Sequence, residues 1–171
     1  TIMTTTPKKT TTRKKPVVNR VKLPPNPFIH EIFELASEQK TKAKRVAILK
    51  EYRDDSVTAV LIWNYDVKVV SAVPEGVVPF KQNDVPVGTD HTSLRREWKN
   101  LYHFIKGGND SLSAIRRETM FIQLLEGLHP KEAEIICYIK DKDLKALYPK
   151  ITLDVVKEAF PDIGWGLHRG S

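Results

Sequence analysis

Residues 28–66 read FIHEIFELASEQKTKAKRVAILKEYRDDSVTAVLIWNYD, and their periodicity sets the fold class. Phe28, Ile32, Leu35 and Ala36 recur at i, i+4, i+7 and i+8, the stripe of an amphipathic helix. Asn26 suits the N-cap ahead of it, and Pro27 suits the first helical position. A second helix is expected from Thr41 to Tyr52. Its inward positions are Ala43, Val46, Ala47 and either Leu49 or the Lys50 stem, and its outward face carries Lys40, Lys42, Lys44 and Arg45. Asp54 and Asp55 mark a turn, after which Ser56 can cap a third helix, Val57 to Trp63. That helix is apolar nearly all round and is expected to be buried.

C-terminal to this stretch the pattern changes. Val67, Val69 and Val70 suit a short extended piece, and Pro74, Gly76, Pro79, Pro86 and Gly88 then exclude any long regular element. A connection over 66–92 is long for a compact domain, and its valines favour a packed wrap over a free loop. Helical pattern resumes at Ser93, with Leu94, Trp98, Leu101, Tyr102 and Ile105 on one stripe and Gly107-Gly108 as the stop. Asn109, Asp110 or Ser111 can cap the next helix. There Leu112, Ile115, Ile122 and Leu125 are expected inside, with Arg116 and Arg117 off the stripe. Pro130 opens a helix with Ala133, Ile136, Cys137 and Leu144 inside. Thr152 caps a last one, which Pro161 ends after Phe160. The expectation is an all-α, single helical bundle of about seven helices over 26–163. A tail precedes it at 1–25, and a loose glycine-containing end at 164–171 carries an exposed Trp165.

The charge is segregated. Residues 1–22 hold Lys8, Lys9, Arg13, Lys14, Lys15, Arg20 and Lys22 and no acid. The other 149 residues carry 21 basic and 21 acidic side chains, so the whole net charge of +7 sits on a Thr/Lys/Pro-rich segment. Such a run cannot bury apolar area, is expected to be disordered alone, and is suited to neutralising phosphates. Body candidates for the same role are Lys42, Lys44 and Arg45, then Arg116 and Arg117, then Lys142 and Lys145. No aromatic ladder interleaves with these cations, so duplex is expected over single strand.

Several chemistries lack their motifs. The single cysteine, Cys137, excludes an internal disulfide framework and a four-cysteine zinc site, and its place on an apolar helix face reads as core. There is no GxxxxGK[ST] loop, no HExxH and no GxSxG. His30, His91, His103, His129 and His168 are scattered without ligand spacing. No catalytic residue, cofactor or metal site is expected. No apolar run approaches the roughly 18 to 20 residues that span a bilayer. The Thr, Lys and Pro start has no apolar secretory segment, which points to an intracellular setting without membrane partners.

Two stretches together carry a resemblance. One is residues 28–66. The other lies within Trp98 to Ile163 and centres on LEGLHPKEAEIICYIKDKDLKALYPKITLDVVKEAFPDI, residues 125–163. They resemble the N-terminal all-helical DNA-binding domain of phage-type ATP-dependent DNA ligases over about 100 of the 171 residues. The order of elements is shared: a helix ending in Leu35-Ala36-Ser37, a Lys-rich segment, Ile48-Leu49, then the step Lys142-Asp143-Leu144-Lys145 and an ending at Phe160-Pro161. The ligase adenylation motif, Lys-x-Asp-Gly, is missing, and Ala146 and Leu147 stand where the family has a glycine close to DNA. The resemblance implies a free-standing, non-catalytic module of a tailed phage that grips the duplex backbone, in nicked or intact DNA, with little base reading. It implies work in replication, recombination, repair or packaging, in the host cytoplasm and beside phage replication or virion proteins. The alternative is a virion structural protein whose basic arm touches packaged DNA or an acidic partner.

Overall fold

The computed structural model describes residues 23–83 and 91–165. Among them are eight α-helices, one 3₁₀ helix and two isolated β-bridges, Ser71 with Ile105 and Thr92 with Leu128. No helix among the described residues is long and apolar enough to cross a membrane.

Helix α1, Ile29–Glu38, buries Ile29, Ile32, Phe33, Leu35 and Ala36. It starts later than expected. Asn26 takes a φ of +55°, which turns the chain ahead of the helix, and Phe28 donates its N–H to Glu31 Oε1 at 2.8 Å. Helix α2, Lys42–Glu51, is capped by Thr41, whose hydroxyl accepts from Lys44 N at 3.2 Å. Its buried side is Val46, Ile48 and Leu49, while Ala43 and Ala47 are exposed. Wedged between α1 and α8, the helix turns its long aliphatics inward, because an alanine offers little area to remove from water. Helix α3, Asp55–Tyr65, is capped by Asp54 rather than Ser56 and is buried on most sides, as its composition requires.

Helix α4, Leu94–Glu97, runs straight into the 3₁₀ helix, Trp98–Phe104. Three residues per turn puts Leu101 and Phe104 in the core and leaves Tyr102, expected on the stripe, half exposed. Helix α5, Ala114–Gly127, is capped by Ser113 and not by residues 109–111. Its buried positions are Phe121 and Leu125, and Ile115, expected inside, is 80% exposed. One turn before Phe121 on the inward row stands Arg117, which was expected off the stripe and is half-buried with its guanidinium on carbonyls.

Helix α6, Pro130–Lys140, is central, packing on α1, α3, α5 and α7. Cys137 is half-buried on it. Leu144 belongs to a separate turn, α7 (Leu144–Leu147), whose first N–H is received by Asn64 Oδ1 at 3.1 Å. Helix α8, Leu153–Ala159, is capped by Thr152, as expected, and packs on α2. Trp165 is buried at 2% exposure, with Nε1 donating to Phe160 O at 3.3 Å, so the exposed C-terminal tryptophan of the sequence reading is corrected: its ring closes the core behind Phe160. Residues 166–171 lie outside the described residues.

Two buried charged side chains tie these elements together. Glu132, 1% exposed in the first turn of α6, accepts from Ile29 N at 2.8 Å and Leu94 N at 2.9 Å. It therefore caps α1 and α4 from a third helix. Lys140, at the far end of α6, donates to Pro74 O (2.8 Å), Gly76 O (2.9 Å) and Asp141 Oδ1 (2.7 Å). That bracket holds the segment after α3 against the bundle, where Val73 is buried and Val69, Val78 and Phe80 pack on the core. Residues 84–90 of this connection lie outside the described residues.

The turn after the 3₁₀ helix depends on glycine. A Cβ on Gly108 would stand 2.0 Å from Tyr102 O, a backbone atom that cannot swing aside. Gly108→Ala is expected to destabilise by about 2 kcal/mol, the range for forced backbone shifts. A urea titration reads it directly, and an unchanged midpoint would show that the turn yields without loss.

Candidate nucleic-acid interface

The described chain begins at Leu23, directly after the basic segment. Leu23 packs on the core, and Pro24, Pro25 and Pro27 line a groove with Tyr52, Arg53 and Arg95 at the C-terminal end of α2. Lys8, Lys9, Arg13, Lys14, Lys15, Arg20 and Lys22 lie outside the described residues. The two arginines of the groove are neutralised. Arg53 makes a bidentate pair with Asp162 at 2.8 and 2.7 Å, which holds that carboxyl down at about 2. Arg95 pairs with Asp54 at 2.7 Å.

The expected body cations divide into two places. Lys42, Lys44 and Arg45 sit on α2, against α1 and α8. Lys42 pairs with Glu158 at 3.2 Å, Lys44 is half-buried, and Arg45 is half-buried with its Nε shut away from solvent. The other two clusters come together around Ala72, Val73 and Pro74. On one side of that ridge lie Ala114, Ile115, Arg117 and Glu118; on the other is a groove of about 420 Å³ with Lys106, Lys140, Asp141 and Lys142. Arg116 is exposed beside Arg117, and Lys145 is exposed on α7. Lys106 was not singled out from sequence. The readable signal was a lysine directly before Gly107-Gly108, a cation on a turn without side chains to shield it.

Arg117 and Lys142 are held by neutral groups. Arg117 Nε donates to His103 O at 2.8 Å, and its Nη2 donates to Asn109 O at 2.8 Å and Leu112 O at 3.3 Å. Lys142 Nζ donates to Trp63 O at 2.6 Å and Asp66 O at 3.0 Å, across the C-terminal end of α3. Burial lowers the Lys142 pKa, and the Asp66 charge opposes that. Carbonyls fix the position of a cation without cancelling its charge, whereas the Arg53, Arg95 and Lys140 charges are cancelled by carboxylates. The 72–74 ridge therefore holds two cations fixed by carbonyls, with Glu75, Glu118 and Asp141 among the acids that line its two sides.

Residues 32–146 match a family described as a family of unknown function, DUF6433. The chain belongs to that family. No curated protein and no solved structure matches the chain. The DUF6433 match takes in Lys106, Arg116, Arg117, Lys142 and Lys145 and leaves out the basic segment and α8.

Within and just ahead of the DUF6433 match, three of the scattered histidines meet. The His129 ring lies 4.6 Å from that of His30, 5.3 Å from that of His91 and 5.0 Å from Phe28. His129 Nδ1 caps α6 by accepting from Lys131 N at 3.0 Å. The His30 and His129 rings stack and the His91 ring is tilted to that of His129, and no group of three His, Cys, Asp or Glu among the described residues is placed to hold a metal ion. Burial, then the His129 charge, lowers His30 to about 4. Burial also pushes the Cys137 thiol up to about 11, away from the range of a reactive thiolate.

Proposed function

We propose that the chain is a non-catalytic DNA-binding accessory protein that holds duplex DNA through the phosphate backbone, with little base reading. The observation that carries this is the ridge at 72–74. Arg117 and Lys142 are fixed there by neutral carbonyls, beside exposed Lys106 and Arg116. Preorganised cations lose little side-chain entropy on meeting a phosphate, so each contact keeps more of its electrostatic gain. The basic segment 1–22 adds seven charges. The resemblance to the ligase DNA-binding domain favours the same use, in phage DNA metabolism.

Fluorescence anisotropy on labelled nicked, intact and single-stranded DNA across a salt series tests it. The full chain is expected to bind duplex with a log–log salt slope of about −6 or steeper, one phosphate per basic tail residue and more from the ridge. Removal of residues 1–22 is expected to leave weaker binding with a slope of about −3, carried by the ridge. Arg117→Gln with Lys142→Gln in that shortened chain is expected to remove most of what is left. Absence of binding by the full chain at low salt overturns the reading.

A second reading rests on the apolar side of the same region. Ile115 and Val77 are exposed at 80% and 98%, as a docking surface for a protein partner would have them. Binding lost entirely with residues 1–22 favours that reading, a virion structural protein with a DNA-touching arm.

A further inference from the structure

The nucleic-acid reading leaves one face of the 3₁₀ helix unused. Runs longer than three or four residues are uncommon in this geometry, and Trp98–Phe104 has seven. At three residues per turn, side chains three apart eclipse. Glu97, Asn100 and His103 thus stand in one row about 12 Å long, at about 2.0 Å rise per residue. All three line a cleft of about 310 Å³. Phe104 forms its floor, and Met120, Gln123 and Leu124 of α5 form the facing wall.

Neighbouring side chains hold the two ends of the row in place. Glu97 accepts from Thr92 Oγ1 at 2.9 Å and from Asn100 Nδ2 at 3.3 Å, which orients the carboxylate and leaves lone pairs over. Ser111 Oγ donates to Asn109 Oδ1 at 2.8 Å, so Asn109 presents its Nδ2 to His103 Nδ1 at 3.0 Å. His103 is thus tethered through Nδ1, and its Nε2 is the ring nitrogen left for a ligand. Tyr102 packs on the imidazole at 4.1 Å and holds its plane. The cleft has a carboxylate acceptor at one end, an imidazole at the other, an amide between and an apolar floor.

A planar base suits that floor, and the acceptor end selects among bases. Guanine presents adjacent N1–H and 2-amino donors, which a carboxylate accepts as a pair. Adenine presents a lone pair at N1, which a carboxylate repels. The row is long enough for the sugar or phosphate of the same nucleotide to reach the His103 imidazole. We propose that this cleft binds an unpaired guanine nucleotide, either free or at a strand end. The strand-end form deepens the DNA-binding reading and rests on it; the free form does not.

The test titrates the full chain with GMP, IMP, AMP and CMP, by amide chemical shifts and calorimetry, at high salt to screen contacts of phosphate with the basic segment. GMP is expected to bind about 10-fold more tightly than AMP, with shifts at Phe104, Met120 and Gln123. IMP, which lacks the 2-amino group, is expected to fall between them. Glu97→Gln is expected to bring GMP and AMP within 2-fold of each other. Gln123→Arg, on the exposed wall, is expected to block the cleft without disturbing the Thr92–Glu97 bond, and it serves if the first variant fails to fold. A duplex with an unpaired 3′ dG, compared with dA, assigns the source. Selectivity there but not with free GMP, lost in either variant, supports the strand-end form. Equal GMP and AMP affinities together with equal dG and dA affinities overturn the proposal, as does selectivity that survives both variants. Loss of the salt-dependent duplex binding alone overturns the DNA-binding reading and leaves the cleft as a site for the free nucleotide.

Discussion

Glu132→Ala is expected to lower the stability of this chain by about 4 kcal/mol, enough to leave a marginal domain largely unfolded at 37 °C. The wild-type carboxylate is buried and receives the first N–H groups of α1 and α4, Ile29 N and Leu94 N. Truncation leaves both donors in a dry junction, each at about 1–3 kcal/mol, and adds a cavity. The carboxylate's own balance shows how much those donors matter. Burial pushes its pKa up, and the Ile29 and Leu94 N–H groups, followed by the Arg95 charge, pull it back down. Glu132→Gln keeps the shape but serves only one N–H, because its NH₂ faces the other donor; about half the loss is expected. Guanidinium titrations of the three proteins give the values. A loss under about 1 kcal/mol for the alanine variant would mean that water reaches the junction and serves the donors.

Acidification is expected to act through His30 and to remove about 3 kcal/mol between pH 6.5 and pH 4. His30 is held at about 4 in the folded chain, against an ordinary value of 6.5. In that window the unfolded chain takes up the proton and the folded one does not. The imidazole's contribution is therefore complete above pH 6.5, falls as the pH drops, and reaches its floor below 4. The groups around it are known. Burial and His129 favour the neutral form, Glu34 opposes them, and Lys131 sides with burial. His129 is lowered too, by burial first and then by His91, with Glu31 and Glu34 opposing, so it adds to the same trend. Urea midpoints at pH 7 and pH 4.5 measure the loss. His30→Phe keeps a ring on Phe28 and His129 and is expected to flatten the profile; an unaltered profile in that variant would place the acid sensitivity elsewhere.

Much of the bundle was legible in periodicity. The stripes of α1 and α6 and the buried α3 follow from residue spacing, and Thr41, Pro130 and Thr152 mark helix starts with ordinary capping chemistry. The misreadings share one cause. Arg117 looked like surface because it is charged, yet its guanidinium is satisfied by the carbonyls of His103, Asn109 and Leu112, which the chain's turn ahead of α5 folds back onto it. Ile115 looked like core because it is apolar, but the adjacent Arg117 sits on the inward side and rotates Ile115 out to solvent. The Glu97, Asn100 and His103 row is invisible at α-helical spacing and exists only because the chain tightens to three residues per turn. His30, His91 and His129 share no sequence spacing, since three chain segments bring them to one stack.

The Glu132 bracket also sets the order in which this molecule can be made. The donor Ile29 N and its acceptor are 103 residues apart, so α1 leaves the ribosome long before its cap exists. Until α6 emerges, α1 and α3 have no partner for the faces that α6 covers, and closing so large a loop carries an entropic cost that nearby contacts cannot offset. During synthesis the stretch ahead of α6 is thus a nascent chain with exposed apolar faces, the condition under which holding chaperones engage, and it can close only once α6 has emerged.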